Sequence, residues 1–170
     1  MDIQDIIRLS KSLYNLYDPE TWERTAFFEE SGVYVVTSLQ RIERSRISGN
    51  EMKKFHKEQN MCMRFGCFGF QIEILDEHPG ISSPDVNVVS SPLSCHIVVN
   101  GKKADLKSVS SANNILKKAR YAKERQKAEL VLFEFTQHAP GIENALKETS
   151  EKYGIHGFYY YSDENSYGCF

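Results

Sequence analysis

The sequence has no run approaching the ~18–20 consecutive apolar residues that a membrane-spanning helix needs, so no membrane partner is expected. Cysteine is scarce: Cys62, Cys67, Cys95 and Cys169 form no CxxC pair. The tight ligand clusters of a structural zinc site are therefore missing. All four cysteines are expected as reduced thiols buried like small hydrophobes. The first residues carry Asp2 and Asp5 and no long apolar core, so they are not expected to act as a secretory signal. A cytoplasmic setting follows as the expectation. Neither a repeat nor a low-complexity tract interrupts the chain.

Aromatic residues, by contrast, are plentiful. Ten Phe and nine Tyr in 170 residues supply a core, which excludes disorder of the whole chain. The net charge of −2 conceals a segregation. Between Lys102 and Lys127 there are nine basic residues against Asp105 and Glu124, a local +7, so the rest carries −9. A second basic stretch runs from Arg41 to Lys57. Such segregation suits a polyanionic partner, although a solvated helix face produces the same pattern.

Hydrophobic spacing predicts helices over 2–17, 19–31, 38–47 and 50–65. Asp18-Pro19 separates the first two, and Ser48-Gly49 the last two. Residues 33–37 read as a short strand. From residue 70 the period shortens to two, predicting a strand over 70–75. Residues 76–95, rich in Pro and Ser, read as a long loop. Strand-like runs flank Asn100-Gly101, the pair preferred in a two-residue hairpin turn. A helix over 112–127, a strand over 130–135, a helix over 141–153 and a strand over 158–161 complete the order. The expected fold is α+β: an N-terminal helical region (1–49), then a nuclease-like domain (50–170) with a small, mostly antiparallel sheet and packed helices.

A two-residue turn at Asn100-Gly101 would oppose His96 to Asp105. Alternation would then put His96, Lys103, Asp105 and Lys107 on one polar face. Opposed residues lie within reach of a His–Asp hydrogen bond. Such a trio suits metal-independent cleavage of an RNA phosphodiester. His96 would exchange the proton, Asp105 would orient it, and Lys107 would stabilise the growing charge. On an exposed site of that kind, replacing Lys107 should cost under about 1 kcal/mol of stability. Lys103, Ser108, Asn113, Asn114, Lys117, Lys118 and Arg120 are candidates for holding the substrate at the start and along the face of the basic helix. A surface cross-strand pair with a solvated lysine would carry the same residues.

The run of strand, NG turn, "KKADLKS", "NNI", basic helix and "AELVLFEF" resembles the C-terminal tRNase domain of contact-dependent growth-inhibition toxins. That domain is placed with the barnase/EndoU/colicin/RelE-like nucleases. The resemblance spans roughly residues 50–135. It implies a toxin-type endoribonuclease acting on tRNA or another structured RNA without a cofactor, with Asp105 and Lys107 in the active site, Glu58 as a further candidate, and a cognate immunity protein as a partner. Relatives usually carry an acidic residue where this chain has His96, and often a proline where it has Val109. The segment "YVVTSLQRIERSR" resembles small proteins of Bacteroides-type mobile elements.

Two further readings use the same residues. Pro84-Asp85 followed by Asp105-Leu106-Lys107 fits the PD…(D/E)xK pattern of Mg²⁺-dependent DNA nucleases, in which two carboxylates hold the cation and the lysine assists the attacking water. A non-catalytic nucleic-acid-binding or interaction module would need only the basic face. Glu134 and His138, at and after the strand over 130–135, are additional candidates for the polar face.

Overall fold

A computed structural model describes residues 1–77, 80–93 and 97–170. The fold is α+β, with five α-helices and eight strands among the described residues. The chain divides into two compact units. The first holds Met1–Asp76, Asn87–Pro92 and Val98–Gly101, and the second the remainder. No described helix is long and apolar enough to cross a membrane.

In the first unit, α1 (Ile3–Asn15) is followed by β1 (Trp22–Phe27) and β2 (Tyr34–Ser38), an antiparallel pair. The helix expected over 19–31 is thus largely a strand. Its Trp22, Ala26 and Phe27 do not form a buried helical stripe; β1 instead pairs antiparallel with the fully buried β2, the register shifting between Arg24 and Ala26. Then come α2 (Leu39–Ser45), α3 (Gly49–Cys67), β3 (Gln71–Ile74), which runs parallel to β2, and β4 (Val86–Ser90) beside β3. The Ser48 side chain caps α3 by accepting a hydrogen bond from the Glu51 amide at 3.2 Å. Gly66 lets α3 approach closely: a Cβ there would stand 2.5 Å from the Phe28 ring. Phe65 and Phe70 meet edge to face at 5.2 Å, and Ile72, Ile74 and Val88 extend this core. Of the apolar residues of α1, only Ile7 is buried; Ile3, Ile6, Leu9 and Leu13 are exposed.

The expected loop over 76–95 contains β4. Val86 and Val88 are buried on either side of half-buried Asn87, an alternation that the surrounding Pro and Ser residues obscured. Of the cysteines, Cys62 is buried as expected, but Cys67 is exposed at the end of α3 and Cys169 is half-buried. Cys95 lies outside the described residues.

The second unit is built on β5 (Asn100–Val109), a single 3₁₀ turn (Ala112–Asn114), α4 (Ile115–Glu124), β6 (Leu130–Phe135), α5 (Ile142–Tyr153), β7 (Gly157–Tyr161) and β8 (Tyr167–Cys169). β5, β6 and β7 run parallel and β8 returns antiparallel. Parallel pairing was not expected here; the helical crossovers α4 and α5 carry the chain back to the same end each time. Val109, Val131, Phe133 and Phe135 form one sheet face, onto which Ile115, Ala119 and Ala122 of α4 and Ile142 and Leu146 of α5 pack. Gly157 is required by a close approach: a Cβ there would lie 1.8 Å from the Val131 carbonyl oxygen.

Candidate functional site

The hairpin that was to set His96 against Asp105 is not formed among the described residues. Asn100 and Gly101 begin β5, and residues 97–99 are not in a strand. Gly101 does take the positive φ, +70°, anticipated at this position. The Val99 amide donates to Ser91 Oγ at 3.0 Å instead of to a ladder partner. His96 itself lies outside the described residues.

Parallel pairing of β5 with β6 decides which side chains share a face. Asp105 is level with Val131, Lys107 with Phe133, and Val109 with Phe135. Asp105 and Lys107 therefore project from the face that α4 covers. Asp105 is not the surface carboxylate expected from alternation; its residue exposure is 0%. Neither of its carboxylate oxygens has a hydrogen-bond partner among the described residues. The Lys107 ammonium meets Asp105 Oδ2 as an ion pair. Lys107 Nζ also donates to Gln126 Oε1 at 3.0 Å and lies 5.6 Å from the centre of the Tyr121 ring. Isolated carboxylates are costly to bury, so Lys107 stabilises the Asp105 environment in this state.

Asp85, just before β4, is also buried, at 6% exposure. Its Oδ2 accepts a hydrogen bond at 2.8 Å from the Leu106 amide, in the peptide that links Leu106 to Asp105. Two aspartates twenty positions apart are thus tied to the same point of β5. A Glu77 carboxylate oxygen lies within 4.8 Å of one from Asp85. Sequence reasoning missed Glu77, which stands in an irregular stretch with no periodicity to single it out. Gln126 was missed for the same reason.

Lys107 opens onto a groove of about 720 Å³ along α4, with Asp105 buried behind it. Asn113, Asn114, Lys117, Lys118 and Arg120 all line it, as does Arg125. Five of the seven residues expected to hold a substrate are thus brought together. Lys103 is exposed on β5, and its amide donates to Glu129 Oε2 at 3.0 Å. Ser108 projects from the opposite sheet face, where its hydroxyl donates to Glu134 Oε1 at 3.1 Å. Glu134 also accepts from the Tyr160 hydroxyl at 2.7 Å. Ser108, Glu134 and Tyr160 lie level on β5, β6 and β7, forming a polar row across the face away from Lys107.

His138 is exposed, hydrogen-bonded to Asp163 at 2.8 Å and stacked on Tyr161 at 4.1 Å. Glu58 belongs to the first unit, where it is buried on α3 and paired with Arg41 at 2.8 Å.

Asp85 and Glu77 offer carboxylate oxygens within 4.8 Å of each other, the hard donor type that Mg²⁺ or a similar dication takes, and Asp105 adds a buried carboxylate whose charge is met by Lys107. Beside them stand an ammonium group and a cationic groove wide enough for a polyanion. Comparison with protein-family models, with curated proteins and with solved structures found no match to this chain.

Proposed function

We propose that this chain is a divalent-cation-dependent nuclease acting on DNA phosphodiesters. The observation that carries this reading is the fully buried Asp105 carboxylate, ion-paired with Lys107 and followed directly by the Leu106 amide that Asp85 binds. Asp85 and Glu77 would be the paired oxygen donors to the cation, and Asp105 the buried carboxylate that adds negative charge beside them. When bound, such a cation polarises a phosphoryl oxygen and lowers the pKa of a coordinated water. Lys107 offers its proton-bearing ammonium to the charge that grows on the phosphate. Gln126 keeps that ammonium at the mouth of the groove. Lys117, Lys118, Arg120 and Arg125 hold the neighbouring phosphates of the strand.

The metal-independent ribonuclease reading needs an imidazole beside Asp105. Among the described residues, the charged partner of Asp105 is Lys107. Supercoiled plasmid and total RNA, each incubated with Mg²⁺ and with EDTA, separate the readings. Plasmid nicking that EDTA abolishes is the expected result. RNA cleavage that survives EDTA would overturn the proposal in favour of the toxin-type tRNase. Complete inertness with salt-sensitive retention of RNA would favour a binding module.

A further inference from the structure

The groove beside Lys107 is not purely cationic. Tyr121, on α4, is 51% exposed, and its ring forms part of the groove wall together with Leu116. The Lys107 ammonium lies 5.6 Å from the ring centre, and Lys117, Arg120 and Arg125 flank the same space. A phosphate held at Lys107 therefore lies about one aromatic ring away from Tyr121. Phosphates need only the cations; a large exposed aromatic among them adds nothing to their binding. A nucleobase, however, has a π face that stacks on such a ring whatever its sequence. The bases of an intact duplex present their edges, not their faces, so only an unpaired base can use this surface.

We infer that Tyr121 is a stacking platform for an unpaired base next to the phosphate bound at Lys107, so that the substrate is engaged as a single strand. This deepens the nuclease reading and depends on it for the position of the scissile phosphate. Stacking itself is read without cleavage. Fluorescein-labelled oligodeoxythymidine and an abasic strand of equal length carry the same phosphates and differ in bases. Their affinities are compared by anisotropy in EDTA. The wild-type protein should hold the thymidine strand about 5- to 150-fold more tightly than the abasic one, the range expected for one stacked base. Tyr121→Ala should erase that preference while leaving abasic affinity unchanged, and Tyr121→Phe should keep it. Equal wild-type affinity for both strands would overturn the inference. So would an equal loss on both strands in Tyr121→Ala, or a Tyr121→Phe variant that behaves like the alanine. A preserved base preference in a protein that, with Mg²⁺, cleaves neither plasmid nor the thymidine strand would sink the nuclease reading and leave the platform standing.

Discussion

The Lys107 ammonium sits on the Asp105 carboxylate two residues earlier on the same face of β5. The acid is wholly buried, and the lysine side chain retains only 17% of its exposure. Lys107 therefore has a structural duty that an exposed catalytic lysine would not have. Lys107→Met should lower stability by about 3 kcal/mol, since it strands a buried carboxylate. This exceeds the small cost expected from the sequence. The double change Asp105→Asn with Lys107→Met should recover most of the loss. Urea midpoints of the three proteins decide it; a single variant as stable as wild type would show that the pair is not coupled.

Asp85 braces the backbone at Leu106, and in the proposed nuclease it would also be a cation ligand. Asp85→Ala leaves the Leu106 amide without its acceptor, at a cost of about 1–3 kcal/mol. Asp85→Asn keeps an acceptor oxygen and should unfold close to the wild-type midpoint. Both should fail to nick plasmid. An asparagine variant that nicks normally would remove Asp85 from the chemistry.

Ser108, Glu134 and Tyr160 occupy the sheet face away from Lys107. Tyr160→Phe removes the hydrogen bond to Glu134 and should cost about 1 kcal/mol. Ser108→Ala should cost no more. Nicking rates measured well below the unfolding temperature should stay within about twofold of wild type. A loss of a hundredfold or more in Ser108→Ala would return that hydroxyl to the active site.

In the first unit, burial raises the Tyr17 hydroxyl above the ordinary tyrosine value of 10.0, helped by its hydrogen bond with Tyr34 and by Glu73. Burial raises Tyr34 as well. The unfolded chain releases these protons near pH 10, whereas the folded chain retains them to higher pH. Their contribution to stability is thus complete below that value and declines as the pH climbs beyond it. Tyr17→Phe should lose about 1 kcal/mol at neutral pH, with its hydrogen bond to Glu73, and then show a shallower alkaline decline. Denaturation midpoints between neutral pH and pH 11 test this; parallel curves would contradict it.

Much of this architecture was legible because its physical causes are local. Ser48 marked the start of α3, and the run from Leu130 to Phe135 declared itself a buried strand. The trio's arrangement was not local. Alternation correctly put Asp105 and Lys107 on one side of β5 but assigned that side to solvent. Residues 115–122 fold back over it, a tertiary fact that no period in β5 reveals. The same turn chemistry that anticipated Gly101's positive φ suggested a hairpin, yet among the described residues the strand before β5 is β4, which ends at Ser90. The Asp85 and Asp105-x-Lys107 pattern was visible, but only the Leu106 amide bond shows the two aspartates tied together. Glu77 and Gln126 act through position alone.

Cation binding that depends on both aspartates is the claim on which the nuclease reading stands. Isothermal titration of Mn²⁺ into the wild-type protein, Asp85→Asn and Asp105→Asn tests it without requiring any substrate. Saturable binding to the wild type that both asparagine variants lose is the predicted outcome. Undiminished binding in the variants, or no binding to the wild type, would contradict it.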